Sequence, residues 1–125
     1  MDLLGLGTQV LDCAKVAKLL DKHAETFLRE VFTKREIRRC RERSHSTEAF
    51  TAIWAGKEAV FRSLGTRWNK TISWLDVEIS HDRGGDSATI SGPTKVRMEE
   101  RGVKKVLITS SHTRLFATAT AVATG

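Results

Sequence analysis

Tyrosine is missing from this 125-residue chain, proline occurs once and cysteine twice. A single proline excludes polyproline segments and a proline-rich linker. Cys13 and Cys40 stand 27 positions apart without a companion pair. That is neither a zinc spacing nor a disulfide framework, so a reducing cytoplasm is the expected setting. No run approaches the about 18 apolar residues that a membrane span needs, and no membrane partner is expected. The opening MDLLGLGTQV lacks a basic n-region and a long apolar h-region, so no secretory signal is expected. Nor is there an acidic excess: 21 Lys and Arg against 15 Asp and Glu give a formal charge of +6.

What is present points to a folded domain. A 40% hydrophobic content with clear periodicities argues against disorder, and the length suits one domain over residues 1–125. A chain this short buries only roughly two thirds of its unfolded surface, so assembly into an oligomer would help it. The positive charge concentrates in REVFTKREIRRCRER (29–43), where seven cations face three glutamates. Such a segment attracts polyanions or an acidic protein; it is equally a solvated helix face. A nucleic-acid-binding motif is missing, and no nucleic-acid partner is expected.

The alternation in LLGLGTQVL (3–11) predicts a short strand. Val16, Leu19, Leu20 and His23 fall at helical spacing, and AETFLREVF (24–32) continues helically. Thr33 and Glu36 fit a capping box, which starts a second helix that carries the arginines. From Ser46, Phe50, Ile53, Trp54, Lys57, Phe61 and Leu64 follow steps of three and four up to Gly65, a helix of about five turns. WLDVEIS (74–80) and SATISG (87–92) read as a hairpin around HDRGGD. PTKVRMEERG (93–102) has proline at a helix start and glycine past its end. KKVLITSSHT and LFATATAVA predict two further strands. The order β, helices, ββ, α, ββ indicates an α+β fold with a small, largely antiparallel sheet, one long helix and shorter ones.

Several motifs carry chemistry weakly when taken alone. GLGT (5–8) lacks the full GxGxxG spacing and a βαβ context; its glycines could equally admit another backbone. Glu58 four residues before Arg62 reads as a helix-surface ion pair. Lys57 could lie along the apolar stripe with its ammonium at the edge. His112 follows an apolar strand, and Ser110 and Ser111 beside it lack the G-x-S-x-G elbow of a serine nucleophile.

In combination they say more. LGLGTQVLD, FLREVFTKRE, WAGKEAVFRSLGT, SWLDVEI, ISG and SSHT occur in the order found in holo-[acyl-carrier-protein] synthases, which this chain resembles from about residue 3 to residue 123. These are the short, single-domain phosphopantetheinyl transferases. The resemblance implies a homotrimer with active sites at subunit interfaces. It also implies transfer of 4′-phosphopantetheine from coenzyme A to a serine of an acyl carrier protein, with release of 3′,5′-ADP. The implied cofactor is Mg²⁺ or Mn²⁺, a hard cation held by one or two carboxylates and the substrate's phosphates.

By the same resemblance Glu58 is the metal ligand and catalytic carboxylate, and Arg62 occupies the position of a phosphate-contacting lysine. Lys57, Gly65, Thr66, His112 and Thr113 then meet coenzyme A. Lys15, Arg29, Arg35 and Arg38 would face the acidic carrier protein, to which opposite charge gives steering and register.

Departures from the family pattern gather around one place. The family's G-T-D aspartate, its second metal ligand, is Gln9 here, an amide that can coordinate through oxygen but lacks the charge. Asp12 is close enough in sequence to assist directly or through water. Ile53 stands where many members have arginine, Arg67 where a second glycine is common, and Asp86 where proline is common. The alternative reading is therefore a catalytically impaired relative that still binds coenzyme A or a carrier protein.

Overall fold

The computed structural model describes residues 2–66, 73–82 and 84–125. Arg67, one of the departures just named, lies outside the described residues. Strand β1 spans Leu3–Asp12. Asp12 then turns the chain into helix α1, Cys13–Val31, by accepting the Ala14 N–H at 2.8 Å. The two expected helical stretches are one helix with a kink at His23, whose φ and ψ are −138° and 37°. The predicted capping box opens helix α2, Lys34–Arg41: the Thr33 hydroxyl accepts from the Glu36 N–H and Glu36 accepts from the Thr33 N–H.

Helix α3, Ser46–Ser63, is the centre of the molecule. Its small and apolar residues are buried almost all round, Ala52, Ile53, Ala55, Ala59 and Val60 among them, as a helix enclosed by other elements requires. Edge-to-face aromatic contacts extend from it: Phe32 to Phe50 at 4.9 Å, Phe27 to Trp54 at 5.2 Å and Phe61 to Trp74 at 5.4 Å between ring centres.

After it the expected strand from Trp74 begins later. Trp74–Asp76 forms a single 3₁₀ turn with Ser73 Oγ accepting from the Leu75 N–H. Strand β2 then covers Val77–Asp82 and strand β3 covers Gly85–Ile90. Asp76 faces helix α4, Gly92–Glu100, where its Oδ2 accepts from the Thr94 hydroxyl at 2.8 Å. That polar tie bends the backbone where alternation alone predicts an extended chain. Strands β4, Lys105–His112, and β5, Phe116–Thr124, form the second hairpin.

The small sheet expected from the sequence is divided in two. One is three-stranded in the order β1-β5-β4, the other is the β2-β3 pair, and every pairing is antiparallel. The first and last strands are neighbours, with Gln9 opposite Ala119. The inner face of the larger sheet packs on α3, where Ala117, Ala119, Ala121 and Ala123 are buried. Its glycines are close-approach positions. A Cβ on Gly5 would lie 1.8 Å from the Ser63 carbonyl oxygen, and one on Gly7 would lie 2.0 Å from that of Ala59.

Candidate functional site

Chemistry collects at two places along α3. The first is its C-terminal half, where β1 crosses. Glu58 is half-buried there, and its Oε2 accepts from Gln9 Nε2. Its other oxygen takes no hydrogen bond among the described residues. The Gln9 amide oxygen accepts from the Val10 N–H at 3.0 Å, so the amide presents nitrogen, not oxygen, to the carboxylate. Burial raises the pKa of Glu58, and the Arg62 charge pulls against that rise.

Arg62 is exposed and, instead of closing an ion pair on Glu58, donates from Nη1 to the Thr8 carbonyl at 3.2 Å. One turn on, Gly65 has φ +70° and Thr66 donates its N–H to the Phe61 carbonyl at 3.0 Å. The Arg101 guanidinium from the end of α4 stands over Gly65: a Cβ there would meet Nη1 at 2.4 Å. Arg101 is a cation that no motif singles out, because only the packing of α4 brings it to this turn.

Lys57 requires a correction. The ammonium expected at the edge of the apolar stripe is enclosed, with 0% of the side chain exposed. It is 2.7 Å from Glu36 Oε1 and donates to the Trp74 carbonyl at 3.1 Å, with the Phe32 ring centre 5.8 Å away. Burial lowers its pKa, and Glu36 opposes the shift. Glu36 Oε2 in turn accepts from the Ile79 N–H at 2.7 Å. Lys57 therefore joins α3, α2 and β2 from within, and its ammonium is unavailable to a phosphate.

Asp12 is not gathered to Glu58 either. Strand alternation puts position 12 on the face opposite Gln9, and its carboxylate caps α1. Among the described residues no three His, Cys, Asp or Glu side chains converge as a metal cage. A lone carboxylate such as Glu58 suits a hard cation only where the ligand's own oxygens and water would supply the remaining donors.

The second place is a cavity of about 300 Å³ beside the N-terminal half of α3, lined by Arg39, Arg43, Ile53, His81, Ser110 and His112 among others. His112 Nδ1 is 3.5 Å from Glu48 Oε2. Cys40 also lines it. Its thiol is pushed up to about 12, by burial first and then by the Glu36 charge, against Arg43 and Lys57. It stays a neutral, unreactive thiol, and neither cysteine is in a disulfide. Thr113 lies outside this lining. Its hydroxyl accepts from the Leu115 and Phe116 N–H groups at 3.2 Å and so shapes the β4–β5 turn. Glu48 and Glu58 are ten residues apart on α3, about 15 Å along its axis.

Of the four cations expected to face a partner, Arg29 and Arg38 share a groove between α1 and α2 with Lys34 and Arg41. Arg35 instead approaches Glu78 at 3.6 Å, and Lys15 is exposed on the first turn of α1.

The layers and the first site together define a class: a small α+β protein in which the C-terminal half of a central helix gathers a carboxylate, Glu58, and two cations, Arg62 and Arg101. Residues 5–120 match the family model of the 4′-phosphopantetheinyl transferase superfamily. The chain is 37% identical over 123 residues to the holo-[acyl-carrier-protein] synthase of Chlamydia felis (strain Fe/C-56), covering 98% of each protein. The crystal structure of holo-[acyl-carrier-protein] synthase from Neisseria meningitidis has the same fold, with a TM-score of 0.88 at 22% identity over 99% of this chain and 100% of that one. A holo-(acyl-carrier-protein) synthase from Bacillus anthracis, solved in complex with CoA (3′,5′-ADP), gives a TM-score of 0.78 at 27% identity over 97% and 96% of the two chains. This chain belongs to the 4′-phosphopantetheinyl transferase superfamily.

Proposed function

We propose that this protein transfers 4′-phosphopantetheine from coenzyme A to a serine of an apo acyl carrier protein, giving the holo carrier and 3′,5′-ADP. The observation that carries the reading is Glu58: a half-buried carboxylate with one oxygen unclaimed among the described residues, flanked by Arg62 and the Gly65–Thr66 turn, in a chain of this family. The serine oxygen forms a bond to the β-phosphorus of coenzyme A as the bond from that phosphorus to the bridging oxygen breaks. That bridging oxygen departs with 3′,5′-ADP, so catalysis is alignment plus stabilisation of phosphate charge.

Glu58, whose pKa burial raises, or a water beside it takes the serine proton. Arg62, always charged, clamps phosphate and is a poor proton donor. Arg101 adds a cation at the turn. A bound Mg²⁺ or Mn²⁺, held by Glu58, would neutralise diphosphate charge.

His112 lines the cavity that would take the nucleotide end of coenzyme A. The cationic groove containing Arg29 and Arg38 would receive the acidic carrier, with Lys15 extending the positive surface. Residues 1–125 would act as one domain in the cytoplasm; no helix among the described residues is long and apolar enough to cross a membrane. The assembly would be a homotrimer. Its support is the outer face of the larger sheet, where Leu6 and Val10 are each 60% exposed, Phe116 48% and Leu107 42%, an apolar face of a kind that marks interaction surfaces.

A second reading has its own observation. The Gln9 amide holds one Glu58 oxygen, which favours an impaired relative that binds coenzyme A or a carrier without transfer. Incubation with coenzyme A, Mg²⁺ and an apo carrier separates the two. A carrier mass increased by one phosphopantetheine, and lost in Glu58→Gln, supports the transferase. An unchanged carrier with coenzyme A still bound supports the impaired relative.

A further inference from the structure

Arg101 closes helix α4. Its N–H donates to the Arg97 carbonyl at 3.2 Å, and Gly102, at φ +74°, turns the chain away toward β4. With the backbone fixed in this way, the side chain reaches the turn that ends α3. A Cβ on Gly65 would stand 2.7 Å from the Arg101 Cζ and 3.0 Å from its Nη2. The guanidinium therefore lies across the space that any other residue at 65 would fill.

An arginine beside a helix end ordinarily serves the helix, by donating to its last carbonyls and complementing the dipole. Those carbonyls are already served here. Val60 and Phe61 accept from the Leu64 N–H, Phe61 also from that of Thr66, and Arg62 from that of Gly65. Among the described residues the Arg101 guanidinium donates no hydrogen bond, and no carboxylate lies within ion-pair distance, Glu99 and Glu100 of its own helix included. Arg62, by contrast, is engaged by the Thr8 carbonyl at 3.2 Å. Arg101 is thus an exposed cation with all its donors open, held over a turn beside the first site. Glu58, Arg62 and Gly65 follow one another over about 10 Å along the α3 axis. A ligand with several phosphoryl groups laid along that line would meet Glu58 first, Arg62 next and Arg101 last. The planar fork of a guanidinium matches two oxygens of one phosphate.

We propose that Arg101 is a ligand-binding residue, whose guanidinium takes two oxygens of a phosphate on the 3′,5′-ADP portion of coenzyme A. The proposal rests on the transferase reading of the first site and adds to it a residue that holds the leaving group. Gly65 keeps open the space that the guanidinium occupies. Calorimetric titration of the intact protein with 3′,5′-ADP, coenzyme A and 3′-dephosphocoenzyme A tests it, alongside thermal melting of each variant.

Arg101→Ala is expected to bind 3′,5′-ADP and coenzyme A about tenfold more weakly at an unchanged Tm. Arg101→Lys keeps the charge without the fork and recovers part of that loss. Lys104→Ala, which removes an exposed cation three residues on, leaves both affinities as they are. A loss that persists with 3′-dephosphocoenzyme A places the contact at the 5′-phosphate, and one that disappears places it at the 3′-phosphate. The proposal is overturned by unchanged affinities in Arg101→Ala, and equally by a lowered Tm with affinity intact, which would return Arg101 to the helix end. It is overturned too by equal weakening in Lys104→Ala, which would reduce the effect to net charge. Carrier modification is followed separately. An active wild type whose affinities ignore Arg101→Ala sinks this proposal alone. An inactive wild type sinks the transferase reading while the calorimetry still judges Arg101, and a wild type that binds none of the three ligands sinks both.

Discussion

At the scale of single residues, Glu58 sets function against stability. Its folded pKa is raised from the ordinary 4.5, so the native state holds this proton more tightly than the unfolded chain. Between 4.5 and the raised value the native state binds more protons, and its stability gains as pH falls through that window. Above the window the ionised, half-buried carboxylate costs stability. Glu58→Gln should therefore melt roughly 2–4 °C higher at pH 7, and the difference should vanish below pH 4.5. A scan of Tm against pH checks this, and an unchanged or lower Tm at pH 7 contradicts it. The same variant should lose at least about 100-fold in carrier modification. Gln9→Asp exchanges an amide donor for a second carboxylate, so its activity should saturate at about tenfold lower Mg²⁺. Unaltered saturation would remove the amide as the limit on metal affinity. The motif around Glu58 is legible in the sequence; the hydrogen bond that ties Gln9 to it depends on where β1 crosses α3.

Elements are held together by contacts that local pattern only half announces. The Thr33–Glu36 capping box is local and is seen in the sequence. That Glu36 also receives the buried Lys57 and the Ile79 N–H is not, because it needs three elements to converge. Removing one partner of a buried pair strands the other charge, so Lys57→Met should cost about 3–5 kcal/mol in urea denaturation. Adding Glu36→Gln should return part of it; a near-neutral single variant would show that the pair is dispensable. The glycines of GLGT act at the same scale. In Gly7→Ala the new methyl meets the Ala59 carbonyl, a backbone atom that cannot rotate away. A loss of about 3 kcal/mol or more follows, because β1 must lift from α3. Stability within 1 kcal/mol of wild type would refute the close approach.

For the whole molecule, the exposed Leu6 and Val10 mark a face that the isolated chain leaves open. Leu6 is 60% exposed, so Leu6→Glu should fold with an unaltered circular dichroism spectrum. Sedimentation should then find three chains for the wild type and one for the variant, with transferase activity falling at least about tenfold in the variant if the site is shared between subunits. A wild type that sediments as one chain would remove the trimer.

The sequence by itself determines the number, type and order of nearly all elements, because spacing, capping and turn chemistry act within a few residues. It also marks Glu58 and His112, because their motifs are contiguous. Only the tertiary structure decides that the first strand lies beside the last, and that Lys57 is sealed inside against Glu36. The same holds for Asp86, which links His81 to Ser110. Those outcomes rest on contacts between residues far apart in the chain, whose burial and charge are set when the elements pack, not when they form.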